Sequence, residues 1–183
     1  MQRKEMEILN AAAVMVREGG YNAFSFRGIA KEVGIKSSSV HYHFPTKELL
    51  GVAVVAYYTE SFFEALGEPE DLIAAQKDPI EIYIDVFKAA LIRDKRMCLC
   101  GILAAEVDSL PSSVAEETRI FFKRNIDWLF RSYNLKGFNS TAKIKALQTL
   151  ATLEGAMITS NILDDPDTFS SIANLILSDY SKA

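Results

Sequence analysis

The stretch "FSFRGIAKEVGIKSSSVHYHFPTKELL", residues 24–50, decides how this chain is read. Ser25 is placed to cap a helix from Phe26 to Val33, which Gly34 closes. Phe26, Ile29, Ala30 and Val33 recur at helical spacing and form its inner face. The turn Val33-Gly34-Ile35-Lys36 contains the residue type that tolerates a left-handed bend. Ser37 is read as the cap of a short helix through His43, with Val40 and Phe44 four apart on one face. Pro45 ends that helix and restricts Phe44 to extended backbone. Thr46 caps the next helix, Lys47 to about Leu66. Helix, tight turn, helix is the pattern in which the second helix enters a DNA major groove.

The short helix turns Ser37, Ser38, Ser39, His41, Tyr42 and His43 outward. Serines let a helix approach base edges and phosphates closely. Histidine and tyrosine hydrogen-bond to either, and a tyrosine ring packs on a thymine methyl. Arg27 is placed to reach a guanine or a phosphate, and Lys47 stands at a helix start that favours anions. Lys4 and Lys36 are further candidates for backbone contacts. The plain alternative is a solvated surface helix. His41 and His43 are the chain's two histidines, but residues two apart on a helix point roughly 200° from each other. No cysteine or acidic cluster joins them, so no metal site is read here. Nor is there a nucleophile with a base and an orienting partner, or a glycine-rich phosphate loop, so no catalysis and no cofactor are expected.

Charge supports a divided chain. The 183 residues carry a formal net charge of −4, made of +2 over residues 1–50 and −6 over the remainder. A mildly basic head on an acidic body fits a head that alone meets an anion. Nine glycines and five prolines are few, which favours long helices. No apolar run is read as spanning a bilayer, "MQRKEMEILN" is unlike a signal peptide, and Cys98 and Cys100 lie too close in sequence for a disulfide framework. A cytoplasmic protein is expected. About nine helices are read and no strand: 3–18, 26–33, 37–43, 47–66, 79–93, 98–107, one from Pro111 or Ser113 to about 133, 141–163 and 166–180. Asp78-Pro79-Ile80-Glu81 is a strong start signal, Ser140 caps the helix that follows it, and Asp165-Pro166 opens the last. The fold class is all-α, with a helix-turn-helix head at 1–46 and a helical body at 47–183.

The head resembles the N-terminal signature of TetR-type transcriptional regulators. The likeness covers residues 5–50: the apolar first helix, Ile29-Ala30, Gly34-Ile35, the aromatic-rich helix, Phe44, Lys47 and Leu50. The family usually has tyrosine where this chain has His41. The resemblance implies that Arg27, Ser37, Ser38, Ser39, His41, Tyr42, His43 and Lys47 contact a double-stranded DNA operator. It also implies a repressor released by a small-molecule effector bound in the body, whose binding moves the helix at 47–66.

Paired heads one helical turn apart are the usual way to read an operator, so a homodimer is expected. The interface candidates are Leu150, Leu153 and Met157 on one helix and Ile172, Leu175 and Ile176 on the next, with the chain's own core as the plain alternative use of these stripes. Aromatics on several body helices suit a small-molecule cavity, though at any one position core is the commoner use. The candidate lining is Tyr58, Phe62, Tyr83, Phe87, Cys98, Ile102, Phe121, Asn125, Trp128 and Met157. "MCLCGILAAEVDSL", 97–110, is similar to a stretch in one TetR subgroup in which a cysteine at Cys98's place sometimes senses oxidants. Arg93, Lys95 and Arg96 precede it, and positive charge at a helix start lowers a thiol's pKa. The plain alternative is a buried small hydrophobe. Glu106 is read as structural, pairing within the body. The competing functional readings are a thiol-based sensor and a helical ligand-binding dimer that no longer binds DNA.

Overall fold

Ser25 accepts the Gly28 N–H at 3.1 Å, and Gly34, at φ +70°, closes the turn after Val33 by donating to the Ala30 and Lys31 carbonyls. The computed structural model describes residues 3–93 and 96–180. Among them every regular element is helical: α1 (Arg3–Gly19), α2 (Phe26–Val33), α3 (Ser37–His43), α4 (Lys47–Leu66), α5 (Pro69–Ala74), α6 (Pro79–Lys88), α7 (Leu99–Ala105), α8 (Ser112–Leu135), α9 (Ala142–Leu163) and α10 (Pro166–Tyr180). A π turn, Ala89–Arg93, continues α6, and a 3₁₀ turn, Val107–Ser109, follows α7.

The all-α reading holds, with local corrections. The short helix α5 is added after Gly67, where the sequence suggested a plain break. Lys36, not Ser37, is the N-cap of α3, and it makes no side-chain cap bond. Thr141, not Ser140, precedes α9, and its hydroxyl turns back to the Phe138 carbonyl. The other caps stand as read. Thr46 Oγ1 accepts from Leu49 N at 3.1 Å, Asp78 from Ile80 and Glu81, and Asp165 from Asp167 and Thr168. Lys95 and the side chain of Arg93 lie outside the described residues. The stretch Lys47–Ala74 does have the length and hydropathy of a membrane span. Its apolarity is accounted for by core positions, since Leu50, Val54, Val55, Phe62 and Leu66 are all buried.

The chain forms two compact units, drawn differently from a cut after residue 46. Unit one is Met1–Ser61 with Leu99–Phe121; unit two is Phe62–Cys98 with Phe122–Ala183. In unit one, Ile8, Ala12, Val16, Phe24, Ile29, Val40, Leu50 and Val55 are buried together with Leu99, Cys100, Leu103, Val114 and Phe121. Segment 99–121 is fastened to the head by polar contacts too. Glu106 Oε2 accepts the Tyr21 N–H at 3.0 Å, so this carboxylate holds the α1–α2 turn instead of pairing within the body. Ser113 donates to Glu48 at 2.5 Å, beside the start of α4.

Unit two is built on α6, α9, α10 and the remaining lengths of α4 and α8. Trp128 Nε1 donates to the Gly67 carbonyl at 2.8 Å, and Arg131 reaches Glu68, Glu70 and Asp127. These bonds tie α5 to α8. At the other end, Tyr133 shares a 2.6 Å hydrogen bond with Thr149, and its ring packs edge-on against Tyr180.

Gly20 has φ +76°, and a Cβ there would stand 1.9 Å from Glu106 Oε1. The carboxylate would have to swing away and give up Tyr21. Gly20→Ala is therefore expected to cost about 2–3 kcal/mol, from left-handed strain plus a lost charge-assisted bond. Glu106→Gln, which keeps an acceptor, should cost less. Urea unfolding followed by circular dichroism measures both, and the opposite ranking would refute the account.

Candidate nucleic-acid interface and a buried polar centre

The outer side of α3 follows from how its inner side is held. Val40 is fully buried, and the α1–α2 and α2–α3 contacts leave Ser38, His41 and Tyr42 exposed. Tyr42 is 84% exposed, the most open large hydrophobic side chain among the described residues. Ser38, Ser39, Tyr42 and His43 line an open depression of about 400 Å³ together with Lys4 and Ile35. Ser37 is half-buried, and Arg27 on α2 is exposed.

Three residues read as DNA contacts have partners within unit one. The His43 ring is mostly covered, with Nδ1 3.5 Å from Glu5 on α1. The His41 ring sits edge-on against Phe26, centroids 4.2 Å apart. Lys47 Nζ lies 4.9 Å from the Tyr21 ring centre and 4.7 Å from that of Phe24, and burial lowers its pKa. The two histidines thus serve different packing contacts. Among the described residues no cluster of three metal-ligating side chains occurs.

The residues read as an effector lining fall into both units. Tyr58, Ile102 and Phe121 belong to unit one, where the Tyr58 and Phe121 rings lie 5.8 Å apart. Phe62, Tyr83, Phe87, Cys98, Asn125, Trp128 and Met157 belong to unit two and are all buried. There Tyr83 stacks on Trp128 at 5.3 Å, tilts against Phe87 at 5.2 Å and meets the edge of Phe62 at 6.0 Å. Its hydroxyl donates to Asn125 Oδ1 at 2.6 Å. Burial first, then the charges of Glu154 and Cys98, raise its pKa well above the usual phenol value, so the hydroxyl stays a donor.

Glu154 was missed. Both its carboxylate oxygens are buried with no hydrogen-bond partner in the geometry, while its stem is partly exposed along α9. Burial raises its pKa to about 7, and the Cys98 thiol, a weak donor, lowers it only in part. The signal lay in the sequence: Glu154 is the single acid in the α9 segment, set between Leu153 and Gly155.

The interface reading divides. Leu150, Leu153 and Met157 are buried within the chain's own core, so this face of α9 points inward. The reason is that α9 is apolar nearly all round, and a stripe alone does not say which side faces in. The outer side carries Ile144, Leu147, Ala151, Gly155, Ile158 and Ile162, all exposed at helical spacing. On α10, Leu175 is 69% exposed, and Ile172 and Ile176 are half-buried.

A three-helix head with its second turn and third helix so arranged defines a helix-turn-helix protein. Residues 8–54 match the family model described as bacterial regulatory proteins, tetR family. The chain is 30% identical to a TetR transcriptional regulator from Legionella pneumophila, over 98% of both chains and with a TM-score of 0.87. It belongs to the TetR family of transcriptional regulators. It is also 27% identical over 117 residues to the HTH-type transcriptional repressor KstR2 of Mycolicibacterium smegmatis, covering 62% of this chain and 56% of that one. A third likeness is to the uncharacterized HTH-type transcriptional regulator YuxN of Bacillus subtilis, at 35% identity over 34% of this chain and 22% of that one. The matches thus span about half or less of the length of these two curated relatives.

Because Glu154 is raised from 4.5 to about 7, the folded state holds a proton that the unfolded chain has released. Stability should therefore fall as pH rises through that window and level off above it. The full cost is about 3 kcal/mol. Glu154→Gln should remove this dependence and melt higher than the parent above neutral pH. Thermal melts of both proteins across the pH range check it, and parallel curves would rule it out.

Proposed function

We propose that this chain is a DNA-binding transcriptional repressor that reads a palindromic operator as a homodimer and is released by a small-molecule effector. The exposed Tyr42 carries the reading. Its ring meets the edge of His43 at 5.4 Å but stays 84% exposed, far more than packing calls for, and it stands on the helix that would enter a groove, beside Ser38, Ser39 and, from α1, Lys4. Arg27, exposed on α2, and Ser37, at the start of α3, are further proposed contacts. His43 and Lys47 are assigned a smaller part, since each is engaged inside unit one.

The exposed apolar face of α9, together with the exposed Leu175 on α10, supports a second copy as partner. A contiguous apolar helix face is unfavourable in water. Gly155 adds to this. A glycine inside a helix costs about 1 kcal/mol against alanine, and a Cβ here would meet nothing within the chain. Ala151 and Gly155 together leave room for another helix to come close.

The buried aromatic residues of unit two are the proposed effector region. Helix α4 gives Leu50 and Val54 to the core of unit one and Phe62 and Leu66 to unit two, so it joins the two covalently. The surroundings of Cys98 do not favour the thiol-sensor reading. Reactive thiols sit in exposed, electropositive places, whereas Cys98 is buried with the Glu154 carboxyl as neighbour.

Tyr42→Ala is expected to weaken operator binding by at least about tenfold, with melting unchanged. Affinity should fall steeply with salt as phosphate contacts release counterions. Fluorescence anisotropy on fragments selected by the purified protein reads both, and undiminished binding would refute the surface. Separately, Ile158→Lys should yield a monomer in sedimentation velocity, and an unchanged dimer would place the interface elsewhere.

A further inference from the structure

We propose that Glu154, beside Tyr83 and Cys98, is the recognition point for a positively charged nitrogen on an otherwise apolar effector. The inference rests on the reading above that unit two takes the effector, and it names the ligand class. Polar groups inside proteins are almost always satisfied, and a buried carboxylate without donors is among the costliest exceptions. Both Glu154 oxygens are such an exception among the described residues.

The neighbouring donors do not relieve it. The Tyr83 hydroxyl proton goes to Asn125 Oδ1, leaving only the weakly donating Cys98 thiol to act on Glu154. Among the described residues no lysine or arginine lowers its pKa. Tyr83, whose ring stacks on Trp128 and tilts against Phe87, and Cys98 are the neighbours that act on Glu154, and all four are buried.

What is missing is therefore a positive charge that carries N–H donors. An ammonium or amidinium group supplies both, through charge-assisted hydrogen bonds. The neighbouring Tyr83 ring offers such a group a cation–π partner. A neutral donor would satisfy an oxygen but leave the charge uncompensated, and an anion would be repelled. The raised pKa of Glu154 agrees with a site whose counter-charge arrives with the ligand.

The test uses the full chain and a panel of arylalkylamines, each paired with the alcohol of the same carbon skeleton. Trp128 is the chain's one tryptophan and stacks on Tyr83, so its fluorescence reports binding there. Expected are amines that bind at least about tenfold more tightly than their alcohols, with the difference lost in Glu154→Gln. Equal binding of amines and alcohols, preference for the alcohols, or no amine binding at all would overturn the proposal. So would undiminished discrimination by a Glu154→Gln protein that melts normally. Operator affinity of the ligand-free protein is measured alongside. Failure to bind DNA would count against the repressor reading alone, because amine selectivity is read without DNA.

Discussion

A seven-residue helix does not hold its shape alone in water, because the cost of its first turn is never recovered over so short a length. Helix α3 exists because Val40 is buried and because Gly34 makes a turn that other residues resist. That one burial sets the rotation of α3 about its axis. It sends Tyr42 and Ser38 outward and draws His43 toward Glu5. Ser38 and Tyr42 are left in solvent, while His41 takes up a packing contact with Phe26 and His43 with Glu5.

The head is steadied from a distance in sequence. Residues 99–121 pack into the same compact unit, and Glu106 grips the backbone of the α1–α2 turn across 85 positions. A domain boundary drawn where the helix-turn-helix ends would cut through this core. The helix-turn-helix is a local pattern, whereas the core beneath it is a long-range one. Spacing therefore marks the helix-turn-helix, whereas the segment 99–121 that shares its core becomes visible only in the fold.

Much of the chain was legible because its helices announce their ends. Ser25, Thr46, Asp78 and Asp165 cap as their types predict, and Gly34 turns as glycine should. Ser37 and Ser140 failed as caps because serine is equally content within a first turn or in solvent, and only geometry tells these apart. The body was harder. Apolar residues cover α9 on both sides, so inward Leu153 and outward Ile158 look alike in sequence. Glu154 escaped for a related reason: an acid on a long helix ordinarily reaches water, and its standing as the one acid of α9 marks it without saying that its oxygens turn inward.

Lys47 illustrates how a fold can prepare a charge before anything binds it. A lysine side chain in solution samples many rotamers, and fixing it costs about 2 kcal/mol of entropy. Here the ammonium is already steered by the rings of Tyr21 and Phe24, at the first residue of α4. An anion arriving at that spot would find the charge's direction largely set by folding. Such a contact contributes to orientation and rate of docking out of proportion to its strength, as a fixed peg aligns a plate that a loose one would merely catch.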